Sequence, residues 1–413
     1  MMEVLAPAGN REKMMSAFNF GADAVYLAGK KFGLRAFAGN FEDDEIIEAC
    51  NYAHSIGKKI YVTLNIVARN YDFEGLCDYL EVLKKAKVDG VIVSDVGMIK
   101  FIHDNAPEID IHVSTQANIL NKYSAKFFCD MGVTRIVLAR ELSLKEIKEI
   151  REFIPKEVEI ECFCHGAMCI SYSGRCLLSN YLTGRDSNRG ACVQACRWEY
   201  SITEKSRQNE KYEIQEDNRG TYILNSKDLC MIKYLKEMED AGVNSLKIEG
   251  RMKSSYYVAN VANAYRRAVD LLEKVKKENR EYSKEELDYI DELYAECVKS
   301  SHRNYTTAFY LSNDEKKECL ETSMPVQTHE FMAIVLQDEK DGFATIEQRN
   351  NFKIGDELEV LSPSEEFNKI FKVEELFDEN GEKVEVANRV QQVLKIKTNL
   401  KLRKNDILRK KIN

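Results

Sequence analysis

Apolar and polar positions follow two rhythms along this 413-residue chain. From Glu3 to about Leu272, short β-branched runs trade places with longer stretches whose apolar residues recur at helical spacing. The runs are Glu3–Ala6, Ala24–Leu27, Lys59–Thr63, Gly90–Ser94, Asp110–Ser114, Arg135–Leu138, Glu159–Phe163 and Ser245–Glu249. Between them, Asp43–Ile56, Phe73–Ala86 and Ser143–Phe153 carry helical periodicity. GADAVYLAG, VDGVIVSD and GVTRIVLAR each read as a short loop feeding a buried parallel strand, because a strand covered on both faces shows a continuous apolar run. Eight such units predict an α/β fold of the (β/α)8, TIM-like barrel type. A doubly wound sheet is the runner-up, and no G-x-G-x-x-G follows the first strand.

One connection breaks the rhythm. About eighty residues separate the seventh run from the eighth, an insertion over about 164–244 that leaves the C-terminal end of a barrel strand, the face where such barrels do chemistry. Within it, Trp198–Thr203 and Thr221–Leu224 flank a polar stretch that reads as a solvated hairpin, and Lys227–Ala241 reads as a helix leading back. Val258–Val275 and Lys284–Cys297 are predicted helices. Past about Pro325 the texture turns to short alternating strands, as in a small all-β barrel. The expected organisation is a barrel domain over 1–275, a helical connector over 276–324 and a C-terminal β-barrel domain over 325–413. The last twenty-five residues hold nine basic side chains against one acid, Asp406, which suits a solvated strand face or a phosphate-binding stripe.

The composition, with 44% hydrophobic and 31% charged residues, is that of a soluble globular protein, and no apolar run is long enough to span a bilayer. The N-terminus has no secretory pattern, and twelve cysteines then argue for a reducing, cytoplasmic compartment in which thiols serve metals or catalysis. A net charge of −8 makes any nucleic-acid contact a local matter. Cys169, Cys176, Cys192, Cys196 and Cys230 crowd the insertion at spacings C-x6-C, C-x15-C, C-x3-C and C-x33-C. The absence of C-x2-C disfavours a zinc ribbon, and Glu199 stands where a C-x3-C-x2-C motif would need its third thiol. Four thiolates on a long loop suit an iron–sulfur cluster; buried thiols are the plain alternative, and the expected state of Cys50, Cys77 and Cys129.

The stretch Glu161–Cys176 (ECFCHGAMCISYSGRC), with SNRGACVQACRWEY, NSKDLC, LAPAGN, GADAVYLAG and KIEGRMKSSYYV, resembles the U32 peptidase family, the collagenase-like peptidases. The likeness spans the barrel, and the C-terminal β-domain is similar to the extra domain of longer members. Within the family the chain is most similar to the tRNA hydroxylation branch, implicated in converting a wobble uridine to 5-hydroxyuridine in a prephenate-dependent, iron–sulfur-linked way. The resemblance implies a 4Fe–4S cluster on Cys169, Cys176, Cys192 and Cys230, with Cys196 the alternative to Cys192. Cys162 and Cys164, alternating along a strand, are core thiols or a reserve pair. It also implies tRNA and a small anionic metabolite as partners, prephenate as cosubstrate, and a paralogous partner chain as a further candidate. Proteolysis and a non-enzymatic iron–sulfur scaffold or redox partner are the alternatives; neither G-x-S-x-G nor H-E-x-x-H occurs.

Strand ends at the expected mouth nominate Glu161, His165, Glu249 and Arg251 as catalytic groups, and Arg35, Asn65, Gln116, Arg140 and Lys247 as substrate-binding groups. Glu161 and Glu249 lie on adjacent strands; a close carboxylate pair would split their pKa values for acid–base work. The plainer reading pairs either one with Arg140, Lys247 or Arg251. His165 serves as a proton shuttle or is satisfied by backbone. Arg35, Arg140 and Arg251 suit a carboxylate bidentately. Tyr172, Tyr181 and Trp198 either stack a splayed base or seal the cluster.

Overall fold

The structure is a computed structural model that describes residues 1–33, 39–169, 171–198, 216–217, 220–221, 226–311 and 326–412. Parallel strands β1 (Glu3–Pro7), β2 (Ala24–Leu27), β3 (Lys59–Leu64), β4 (Gly90–Val93), β5 (Ile111–Val113), β6 (Arg135–Val137) and β7 (Glu159–Ala167) pair in sequence order. After β8 (Asp228–Cys230) comes β9 (Ser245–Ile248), which pairs in parallel with both β7 and β1 and closes an eight-stranded barrel. Helices α1 (Arg11–Asn19), α2 (Asp43–Ser55), α3 (Leu76–Ala86), α4 (Val96–Asn105), α5 (Lys122–Asp130) and α6 (Leu144–Phe153) follow the first six strands. Polar caps set where they begin: the side chains of Asn10, Asp95, Asn121 and Ser143 each accept backbone N–H groups of the first turn. Among the described residues, no helix is long and apolar enough to cross a membrane.

A small cluster of Leu5, Ala24, Tyr26, Tyr61 and Ile92 fills the barrel lumen, and the larger core lies between strands and helices. Below the lumen cluster, at the N-terminal ends of the strands, charge is buried. Arg135 ion-pairs with Glu3 at 2.7 Å, Glu159 at 2.5 Å and Glu161 at 3.1 Å, and Lys247 reaches Glu161 at 2.5 Å. Tyr61 donates to Glu3 at 2.7 Å, as does Ser245. Burial alone would raise the Glu3 pKa, but Arg135 and these donors hold it below its usual value. Burial and the neighbouring Arg135 and Lys247 charges keep His112 neutral.

Two expectations change here. Lys227–Ala241 is not one helix: it opens with β8, antiparallel to the end of β7, and only then turns into a 3-10 segment and α8 (Leu235–Asp240). Backbone pairing with β7 outweighs the helical spacing of Leu229, Ile232 and Leu235. Cys50 is buried as expected, whereas Cys77 is exposed and Cys129 half-buried, because both sit off the apolar face of their helices. Of the expected polar hairpin only Glu216–Asp217 and Gly220–Thr221 are described, as a two-stranded pair.

Helices α9 (Ser255–Lys277) and α10 (Lys284–Val298) follow β9, and β10 (Tyr305–Thr306) lies parallel to β8. The C-terminal domain is an antiparallel half-barrel of seven strands whose central members are β11 (His329–Lys340), β12 (Phe343–Gln348) and the final strand, Ile407–Lys411. Four of the nine basic side chains at its end are paired among the described residues. Arg409, fully buried, pairs with Glu296 of α10 and with Glu359, and donates to Asn260 of α9 at 2.8 Å. Lys397, Arg403 and Lys410 pair with Glu375, Glu365 and Asp356. Phe20, Tyr256, Ala259, Ala262, Leu361 and Ile407 form an apolar seam between barrel and sheet.

Two outcomes follow from these buried groups. Glu161→Ala strips the shared partner from Arg135 and Lys247 and should cost about 3–5 kcal/mol of stability in denaturant unfolding; a catalytic role without a structural one would leave stability unchanged. His329, at the barrel–sheet seam, is pushed down from 6.5 to about 4, chiefly by burial and against the pull of Glu359. A depressed pKa contributes stability that is present above pH 6.5 and lost as pH falls toward 4. In acid titrations His329→Gln should therefore unfold at lower pH than the parent, measured by circular dichroism.

Candidate active site at the barrel mouth and its thiol loop

Past its barrel pairing, β7 runs on to Ala167, and the chain then folds back over the mouth as a loop over residues 168–198 carrying α7 (Leu178–Thr183). Three contacts fix the loop to different sides of the barrel. Ser173, buried, donates its backbone N–H (2.9 Å) and its hydroxyl (3.1 Å) to the Glu141 carboxylate after β6. Gly174 has φ +71° and lies so close to the turn after β5 that a Cβ there would sit 2.2 Å from the Gln116 carbonyl oxygen, so glycine is required. Arg189 forks onto Asp72 with two bonds of 2.9 Å and holds that carboxyl below its usual value.

Cys169 and Cys192 are exposed on this loop, and Cys176 and Cys196 half-buried. The Cys176 carbonyl accepts from Ser187 and Asn188, and Gln194, held at φ 56°, points its N–H at the Cys192 sulfur, 3.4 Å away. Cys230 is buried. On β8 it stands opposite His165 of β7. A His165 ring nitrogen, the Cys230 sulfur and the Cys297 sulfur of α10 lie within 4.8 Å of one another, all buried. Burial pushes the Cys230 thiol up, yet a hydrogen bond from Cys297 and the adjacent His165 outweigh it and bring Cys230 well below the ordinary thiol value. Cys297, sharing its proton with Cys230 and fully buried, is pushed well above. The sequence reading did not single out Cys297; its signal was a cysteine at the buried C-terminal turn of an otherwise acidic helix.

The nominated mouth residues divide. Arg140 donates to the Ala167 carbonyl at 2.9 Å and lies over the Phe163 ring, and Asn65 donates weakly to Ser114 at 3.4 Å. The Thr63 Oγ1, Gln116 Oε1, Asn118 Oδ1 and Arg140 Nε atoms are buried at these strand ends with no hydrogen-bond partner among the described residues. Glu249 is half-buried beside the mouth; its backbone carbonyl accepts from Tyr257. Arg251 is buried, donates to Asn40 at 2.6 Å, and gives its carbonyl to Lys13. Arg35 lies outside the described residues.

Glu161 and Lys247 are the corrections. Each is the third residue of its strand, so both face the floor network and not the mouth. The expected Glu161–Glu249 carboxylate pair does not form: Glu249 is level with His165, four residues or roughly 13 Å above Glu161. His165 is neither backbone-satisfied nor open to the mouth; its Nε2 meets the Tyr305 hydroxyl at 3.3 Å among Tyr257 and Tyr265. Ser173 and Ser179 give their hydroxyls to Glu141 and the Arg185 carbonyl, so no serine–histidine couple is built from them. Tyr172, Tyr181 and Trp198 are exposed at 59, 87 and 43%, too open to be a seal.

Comparison with known proteins fits this architecture. The family model of peptidase family U32 matches residues 9–319, and that of the U32 C-terminal domain residues 327–409. The chain belongs to peptidase family U32. This U32 chain is 41% identical over 410 residues to tRNA hydroxylation protein P1 of Bacillus subtilis (strain 168), covering 99% of itself and 94% of that protein. It is 35% identical over 426 residues to tRNA hydroxylation protein P of Escherichia coli (strain K12), covering 93% and 91%. With the 23S rRNA 5-hydroxycytidine C2501 synthase of the same organism it shares 40% identity over 271 residues, 66% of this chain and 40% of that one.

Releasing the loop tests its clamps. Asp72→Asn or Glu141→Gln should raise proteolytic cleavage between residues 168 and 198 several-fold while leaving the thermal midpoint of the barrel unchanged.

Proposed function

We propose that this U32 protein hydroxylates a pyrimidine of RNA, in the first instance the wobble uridine of tRNA to 5-hydroxyuridine. The observation that carries the reading is a set of buried polar atoms near the ends of β3, β5 and β6 with no partner among the described residues: Thr63 Oγ1, Gln116 Oε1, Asn118 Oδ1 and Arg140 Nε. Such atoms call for a polar ligand, since a buried donor or acceptor without a partner costs about 1–3 kcal/mol. They offer a guanidinium N–H and a hydroxyl to a carboxylate, and two amide oxygens to a ligand hydroxyl, which suits a small hydroxy-carboxylate such as prephenate as cosubstrate. The relatives named for tRNA and rRNA hydroxylation support the same class of reaction.

The donor set of the loop fits an iron–sulfur cluster in kind. It is all sulfur, it lies at the mouth, and one sulfur already accepts a backbone N–H, the contact that tunes such clusters. Cys169, Cys176, Cys192 and Cys230 would hold a 4Fe–4S cluster, with Cys196 the alternative to Cys192. Bound there, the cluster would supply one-electron transfer beside the pocket. The protein's own groups do the rest. Arg140 donates to the small carboxylate, Gln116 Oε1 accepts from the ligand's hydroxyl, Asn65 contributes at the rim, and the exposed Tyr172, Tyr181 and Trp198 offer faces on which a splayed base stacks, each worth about 1–3 kcal/mol. Glu249, half-buried at the rim, is the carboxylate placed to take a proton from the pyrimidine ring.

Nucleoside mass spectrometry of tRNA from a deletion strain is the test. Loss of 5-hydroxyuridine derivatives, restored by the wild-type gene and not by Cys176→Ala or Arg140→Ala, is expected. An unchanged profile, in a strain without a redundant paralogue, overturns the proposal.

A further inference from the structure

An RNA hydroxylase must hold the strand on either side of the base it modifies. We infer that the outer face of the thiol loop, continued onto the segment 67–71 after β3, binds the single-stranded nucleotides flanking the target base. The inference rests on the RNA substrate proposed above.

Charge is the first observation. Residues 168–198 hold Arg175, Arg185, Arg189 and Arg197 against one acid, Asp186, in a chain whose net charge is −8. That acid is engaged locally: its carboxylate accepts the Asn188 N–H and caps a short turn. Arg175 and Arg185 are exposed. Beside the loop, the Asp72 carboxylate is taken by the Arg189 fork, and its neighbour Arg69 is exposed. Past Tyr71 in the chain, the exposed Glu74 ends the basic run.

Aromatic faces are the second. Each of three exposed guanidinium groups has an exposed tyrosine close by in the chain: Arg69 with Tyr71, Arg175 with Tyr172, and Arg185 with Tyr181. Arg189 lies over the Tyr71 ring at 5.5 Å, and that ring is still 54% exposed. A guanidinium takes a phosphate while an adjacent ring takes a base face, which is how proteins hold single strands. A duplex hides its base faces and would leave the tyrosines idle.

The three pairs are also contiguous. Val67 donates to the Asn188 carbonyl at 3.1 Å and accepts from Arg189 at 2.6 Å. Asn188 donates to the carbonyl of Cys176, which follows Arg175, and the Arg175 N–H bonds back to Tyr172. Tyr181 donates its N–H to Leu177, and Ser179 its hydroxyl to the Arg185 carbonyl. These bonds make one surface of them. The C-terminal strands offer no equivalent: Lys395, Lys401 and Lys404 are exposed there, but the last twenty-five residues contain no aromatic side chain. Charge alone steers a backbone without stacking a base.

The test is fluorescence anisotropy on the full chain with two probes, an RNA hairpin carrying uridine in its loop and the same stem as a plain duplex. The wild type should prefer the hairpin by about tenfold or more. Arg69→Ala and Arg185→Ala should each flatten the slope of log affinity against log salt by about 0.7, the increment for one single-strand phosphate contact. Tyr71→Ala and Tyr181→Ala should weaken binding about 5- to 150-fold and leave that slope unchanged. Lys395→Ala, on the C-terminal sheet, should change neither. Arg175 adjoins Cys176 and is left unaltered; unchanged circular dichroism and visible absorption show that each variant keeps its fold and cluster. Equal affinity for hairpin and duplex overturns the inference, as do wild-type slopes in both arginine variants or an equal loss in Lys395→Ala. A wild type that binds no hairpin also overturns it, and a dimer dispersed by Leu182→Asp would mark the face as a protein interface. Unchanged nucleosides in the deletion strain, with hairpin binding as expected, would strike the hydroxylation reading and leave this surface standing.

Discussion

Everything above the barrel floor depends on charges that have no water. Arg135 begins β6, Glu3 begins β1, and Glu161 and Lys247 stand third in β7 and β9. Each would be intolerable alone in the lumen, and each is satisfied only when those four strands stand in their native order and register. A one-residue slip would turn every side chain of a strand to the opposite face and leave an ion unpaired. The network therefore selects one closure of the barrel. With β7 and β9 locked at the floor, their pairing shifts register between Lys247 and Ile248. Beyond that shift the last residues of β7 bond to β8, and the chain leaves the barrel in the direction that carries the thiol loop across the mouth.

The barrel strands were legible because each is a short β-branched run preceded by a polar turn, and the parallel order follows from the helices between them. The mouth was less so. Glu161 looks like a strand-end carboxylate when its motif is read as a unit; counting from the start of a nine-residue strand places it at the floor. The strand-end positions of Asn65, Gln116 and Arg140 were legible, since they fall one to three residues past short strands. Lys227–Ala241 misled because Leu229, Ile232 and Leu235 keep helical spacing, whereas the partner that makes the first of them a strand, Gly166, lies more than sixty residues away. Non-local pairing of this kind leaves no trace in a local window.

The cysteines divide by environment and not by spacing. Those on the loop are exposed or half-buried and are positioned by hydroxyl, amide and carboxylate contacts to three strand ends. Cys230 and Cys297, with His165, sit in an aromatic box outside the ring of strands. The KDLC motif relates Cys230 to the first group, and the antiparallel pairing of β8 with β7 sets it beside His165.

Arg409 gives the two-domain layout a different meaning. Its guanidinium, wholly out of solvent, is the counter-ion of Glu296 and touches Asn260, both on helices that pack on the barrel. Without the sheet, Glu296 would keep Lys299 alone of its two cations and the Phe20, Tyr256, Ala259 and Ala262 seam would face water. The change of topology between the two matched regions is thus crossed by a buried ion pair and an apolar seam. A barrel that lost its sheet would have to rewrite that part of its own surface.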